Sequence, residues 1–175
     1  GVERHRRDVA RGRGRRRAGR EAGDGDDALA GHVHLGDRVG RGRFRPGDGT
    51  GLGIDLIGNI GVNANDANDS DTGPNGLQNF PVLSSPSNAG ATTAVDYAFD
   101  SDDANTNHTI QVFSNTTCDA SGNGEGAKLV GSFLRTSGNN GNDSGTLNLS
   151  ELVPAGQFLT ATLTDAAGNT SEFSS

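Results

Sequence analysis

Asp66, Asp69 and Asp71 lie three and two residues apart in a stretch rich in Asn, Asp and Ser, and the chemistry open to them is oxygen ligation of a cation. Calcium takes about six to eight oxygen ligands, and short acidic or amide side chains alternating along a turning loop can supply them. Asp69-x-Asp71-x-Gly73-x-Asn75 has the spacing of such loops. Asn63 and Asn65 alternate before it, and Asp55 is a more remote candidate. The expected metal ligands are therefore Asp55, Asp66, Asp69, Asp71 and Asn75, with calcium as the ion. The distal glutamate of an EF-hand is missing, and Gly73 takes the third ligand position. The competing reading of the same residues is a solvated linker built from Asx turns. Asp100, Asp102 and Asp103 form a second acidic group at a strand end, readable as another cation site or as a solvated turn.

Other chemistry finds little support. Cys118 is the single cysteine, so no internal disulfide can form, and the expectation is a small buried hydrophobe. His108 is the one histidine after residue 50. It sits in Asn-His-Thr and is expected at a solvated loop or strand edge. No phosphate-binding Gly/Lys/Ser loop, metal-spaced His/Cys set or supported Ser/His/Asp grouping is present, so no catalytic residue is assigned and the chain is read as a non-enzyme. Sugar rings are held by exposed aromatics. With no Trp and a single tyrosine, Tyr97, expected in a strand core, the sequence disfavours that role.

The elements that must position these residues fall in three parts: 1–50, 51–79 and 80–175. Residues 1–50 hold thirteen bases against eight acids, a charge of +5, with no Asn and no Ser. Residues 51–175 hold two bases, Lys128 and Arg135, against fourteen acids, a charge of −12. An Arg/Gly-rich arm would suit phosphate binding. A targeting peptide is a second reading, though those are rich in Ser and poor in acids. A third is a reading-frame artefact. Almost every residue from 1 to 49 can be encoded by a codon beginning with G or C, Phe44 excepted, as when a GC-rich gene is read out of frame. On any of these readings the segment lacks apolar periodicity and is expected to be disordered.

Residues 51–79 read as an acidic junction loop, and 80–175 as an all-β domain. Val95, Tyr97 and Phe99 alternate with Asp96, Ala98 and Asp100, the period-2 pattern of a strand with one buried face. Further strands are expected at Phe80–Leu83, Ile110–Phe113, Lys128–Arg135, Thr146–Leu149, Gln157–Thr164 and Thr170–Phe173. Asp165-Ala166-Ala167-Gly168-Asn169 reads as a hairpin turn with Gly or Asn at positive φ. About seven short strands in about 95 residues have the rhythm of an immunoglobulin-like antiparallel β-sandwich. No apolar run approaches the roughly 18 residues of a membrane span. An acidic body rich in Gly, Asn, Ser and Thr points to a secreted or cell-surface location, and a start without Met, with an end just after a strand, is expected of a piece of something longer.

Gly51-Leu52-Gly53-Ile54-Asp55-Leu56, Asn65-Asp66 and Asp71-Thr72-Gly73-Pro74-Asn75-Gly76-Leu77-Gln78-Asn79-Phe80-Pro81-Val82-Leu83 resemble a junction in large bacterial secreted proteins. There it follows right-handed parallel β-helix repeats and precedes an immunoglobulin-like domain. Gly124-Glu125-Gly126, Val153-Pro154-Ala155-Gly156-Gln157-Phe158 and the run Thr164 to Ser174 are similar to the same family. The resemblance covers about 51–175 and carries over no catalytic residue. It implies a surface or extracellular structural protein of poorly defined activity. The chain is accordingly read as a non-catalytic structural or adhesive module whose expected partners are neighbouring domains of the same chain and cell-surface or matrix components; its acidic body argues against nucleic acid, and no membrane span is expected. The alternative is an ancillary domain of a secreted carbohydrate-active β-helix enzyme.

Overall fold

The computed structural model describes residues 52–56 and 61–175, so the readings of residues 1–50 lie outside the described residues. After a short 3-10 turn at Pro74–Leu77 come six strands: β1 (Val82–Ala89), β2 (Thr92–Phe99), β3 (Asn107–Asn115), β4 (Lys128–Thr136), β5 (Asp143–Asn148) and β6 (Phe158–Thr164). They form two three-stranded antiparallel sheets, ordered β1-β2-β5 and β4-β3-β6. The sheets face one another as an immunoglobulin-like sandwich.

The alternation in β2 does what its pattern requires. Val95, Tyr97 and Phe99 point inward with Leu147 and Leu149, and meet Ile110, Val112, Val130, Ala161 and Leu163 of the opposite sheet. Each large side chain so buried contributes about 1.5–3 kcal/mol. In β3 Phe113 follows inward-facing Val112 and so lies on the opposite face of the strand, outside this core. Its ring instead meets Phe173 edge-on, 5.3 Å between centroids. Leu52, Leu56 and Leu77 are likewise buried outside the inter-sheet cluster.

Two expectations change. The strand expected at Phe80–Leu83 is β1, which runs on to Ala89 through a polar stretch. Pro86 is accommodated where the register with β2 shifts between Ser84 and Ser87, with Ser85 at φ 50°. The seventh strand, Thr170–Phe173, is reduced to a bridge between Thr164 and Thr170. The amides of Leu163 and Ala161 donate to the Ser171 and Ser174 hydroxyls, both at 2.9 Å, in place of backbone carbonyls. The Ser171 and Ser174 amides still donate to the Leu163 and Ala161 carbonyls, so this edge of β6 is covered without a regular ladder. The 165–169 turn forms as expected, with Gly168 at φ 91° and the Asp165 amide bonded to the Asn169 carbonyl.

His108 is corrected outright: it is fully buried. It lies on the inner face of β3, two residues before Ile110, with its ring 5.0 Å from that of Phe99. Cys118 is half-buried.

Candidate cation site

The segment 61–79 turns because its residues tolerate unusual backbone angles. Asn68 and Asp69 take consecutive left-handed conformations, φ 60° and 49°, which Asn and Asp accept more readily than other side chains. The turn brings Asp66, Asp69 and Asp71 together, with one carboxylate oxygen from each within 4.8 Å of the others. Oxygens so spaced can share one divalent cation, since Ca–O distances of about 2.3–2.6 Å place ligands on opposite sides of an ion about 5 Å apart.

Asn79, which the sequence analysis did not single out, holds this loop. Its side chain accepts from the Asp66 amide at 3.0 Å and donates to the Asp66 carbonyl at 2.8 Å and the Asp100 carbonyl at 3.1 Å. Its own amide donates to Asp69 at 2.9 Å, and Gln78 Nε2 donates to the other Asp69 oxygen at 2.6 Å. Asp66 accepts from both the amide and the hydroxyl of Ser70. Asp71 accepts from Asn63 Nδ2 at 3.4 Å through one oxygen, while its Oδ1 is buried with no hydrogen-bond partner.

The electrostatics are unfavourable without a counter-charge. Burial pushes the Asp69 carboxyl up to about 7, opposed by the Asn79 amide and reinforced by Asp102, Asp71 and Asp66. A cation among these groups would reverse that sign. Asp100 and Asp102 therefore belong to the surroundings of this loop. Asp100 accepts from the Asn68 amide at 2.8 Å, which ties the loop to the end of β2.

Two further residues, Asn75 and Asp55, were expected as ligands. Asn75, in the 3-10 turn, donates its side-chain N–H to the Thr170 carbonyl at 3.0 Å and so fastens the loop to the carboxy-terminal edge. Asp55 is not in the carboxylate group. It lies near Glu172, whose carboxyl it helps to raise. Glu172 is 2 % exposed and accepts from the amides of Leu56 at 2.9 Å and Asn63 at 2.7 Å. Burial is the larger influence and raises its pKa, and these two bonds oppose it.

One pairing has the residue types of a nucleophile and its base: His108 Nε2 is 3.0 Å from Ser101 Oγ. Ser101 is 1 % exposed and His108 has no exposed surface, so neither atom can meet a substrate. Tyr97 is buried as expected, whereas Phe158 at the start of β6 is half exposed. Among the described residues no helix is long and apolar enough to cross a membrane. The chain matches no family model and no curated protein sequence.

Proposed function

We propose that this chain is a non-catalytic structural or adhesive module of a large secreted or cell-surface bacterial protein, with calcium held by Asp66, Asp69 and Asp71. The observation that carries this reading is a three-carboxylate group, one oxygen of each within 4.8 Å, on a loop fastened to the sandwich through Asn75, Asn79 and Asn68. A cation there would cancel like charges and fix how the preceding residues leave the domain. Residues 51–79 then act as a junction between β-helix repeats and the immunoglobulin-like domain 80–175, and the partners are the neighbouring domains and cell-surface or matrix components.

The test is thermal melting of the chain in millimolar calcium against chelator. An ion present at 100-fold its Kd contributes about 2.7 kcal/mol, so the melting temperature should rise by several degrees. Asp71→Asn should lose that response while still folding in chelator. An unchanged melting temperature in millimolar calcium would remove calcium from the proposal.

A further inference from the structure

Three asparagines of the chain are followed by glycine: Asn75-Gly76, Asn123-Gly124 and Asn140-Gly141. Such a pair has a chemistry of its own. Glycine has no Cβ to shield its backbone nitrogen, so that nitrogen can reach the side-chain carbonyl carbon of the residue before it. The fold treats the three pairs differently. Asn75 and Asn123 are buried, and each gives a side-chain N–H to a backbone carbonyl at 3.0 Å, that of Thr170 and that of Phe173. The Gly124 amide is engaged as well, on the Ser174 carbonyl at 2.9 Å. Ring closure at either position would first break contacts between segments distant in the chain.

Asn140 stands apart. It is exposed in the turn 137–142, which joins β4 to β5, and among the described residues no hydrogen bond holds its side chain. The Gly141 amide donates within the turn, to the Gly138 carbonyl at 3.1 Å, so freeing it disturbs this turn alone. The base of the turn is fastened to residues 101–106. The Ser137 amide donates to the Thr106 carbonyl at 3.0 Å, the Asn105 amide to the Gly138 carbonyl at 3.1 Å, and the Thr106 amide to the Ser137 hydroxyl at 3.1 Å. Gly141 itself, at φ 83°, is pressed against Ser101, the partner of His108: a Cβ on Gly141 would lie 1.8 Å from the Ser101 carbonyl oxygen.

We propose that Asn140 is a site of spontaneous deamidation, and that its rearranged product loosens the turn 137–142 from residues 101–106. The Gly141 nitrogen bonds to Cγ of Asn140 and loses its proton, and ammonia leaves, closing a succinimide ring. Water then opens the ring at either carbonyl. One opening gives aspartate. The other gives isoaspartate, in which the main chain runs through the former side chain. Water enters and ammonia departs, and nothing is oxidised or reduced. Either product adds a carboxylate to a body that carries fourteen acids against two bases. Isoaspartate also inserts an extra carbon into the main chain beside Gly141, where the Ser101 carbonyl leaves no room.

The experiment ages the full chain at mildly alkaline pH, once folded and once in urea, and digests it with trypsin. Cleavage after Arg135 isolates Asn140 on peptide 136–175, away from the other two pairs. In the folded chain Asn140 should deamidate at least about tenfold faster than Asn75 or Asn123, and in urea the three rates should converge to within about threefold. Isoaspartate, told from aspartate by electron-transfer fragmentation, should be among the products at Asn140, because direct hydrolysis of the side chain yields aspartate alone. In the isoaspartate fraction the Asn105 and Thr106 amides, which donate into the turn, should exchange at least about threefold faster than in the fresh chain. Asn140→Gln, whose longer side chain closes a ring far more slowly, should stay unmodified over the same period and keep the slow exchange. No reaction at Asn140 in the folded chain, folded rates that are equal at the three positions or faster at Asn75 or Asn123, aspartate without isoaspartate, or unchanged exchange at Asn105 and Thr106 would each overturn the proposal.

Discussion

The imidazole Nε2 of His108 lies 3.0 Å from the Ser101 hydroxyl, and neither side chain reaches solvent. The other ring nitrogen is 3.0 Å from the Thr106 carbonyl, which can only accept, so Nδ1 donates there and Nε2 pairs with the Ser101 hydroxyl. The pair ties the end of β2 to the start of β3 beneath Phe99. His108→Ala removes both hydrogen bonds and leaves a void against that ring. It should cost about 3 kcal/mol, read as a lower urea midpoint with an unchanged slope. A cost below about 1 kcal/mol would mean that the pair contributes nothing to holding the two strands.

Asp69 gives the chelated protein a pH dependence with a definite sign. Its folded carboxyl is raised to about 7 from 3.8, so between those values the folded state keeps a proton that the unfolded chain has released. Its contribution is therefore greatest at the acid end of that window and is lost as pH rises through about 7. Urea unfolding in chelator should show this as a falling stability between about pH 4 and about pH 7, and Asp69→Asn should flatten the fall. Glu172 is raised in the same direction and leaves a residual slope in the variant. A slope unchanged by Asp69→Asn would show that the loop does not desolvate this carboxyl.

The single tyrosine offers an independent check on the flank between β4 and β5. Burial, and then the 2.5 Å bond from Tyr97 Oη to Asp143, push the phenol up to about 12, while Arg135 beside the ring lowers it. Tyrosinate absorbance should therefore titrate well above the usual value of 10.0, and Asp143→Asn should bring the midpoint part of the way back. An unperturbed midpoint in the folded protein would contradict this arrangement.

Glu172 binds a segment more than a hundred residues earlier through two amides, those of Leu56 and Asn63. Glu172→Ala leaves both donors without their acceptor. The expected outcome is a loss of about 2–4 kcal/mol, with hydrogen exchange at Leu56 and Asn63 accelerated far more than in β3. Equal acceleration throughout would mean that the segment and the sandwich open only together. Asn79→Ala should act similarly on the 66–71 loop, and should weaken the response to calcium as well as stability.

What could be read in advance followed from local period and spacing. Val95, Tyr97 and Phe99 declared β2, and Asp66, Asp69 and Asp71 declared an acidic turn. The burial of His108 was legible too, since 108, 110 and 112 share a face of β3, but the polar neighbours Asn107 and Thr109 disguised the start of the strand. The role of Asn79 had no local signal, because its partners at Asp66 and Asp100 lie 13 and 21 residues away. Thr160 and Thr162 alternate like an exposed face yet are buried. Thr160 is covered by a loop distant in the chain, whose Glu125 carbonyl accepts from its hydroxyl at 2.8 Å. Long-range hydrogen bonding of this kind leaves no period to detect.

Pro86 gives the molecule a handedness in how it can be joined to others. A uniform, flat margin on β1 would let neighbouring copies zip laterally into fibres, a standing hazard wherever such chains are crowded on one surface. The kink where β1 takes in Pro86 spoils that template along this margin of the sandwich.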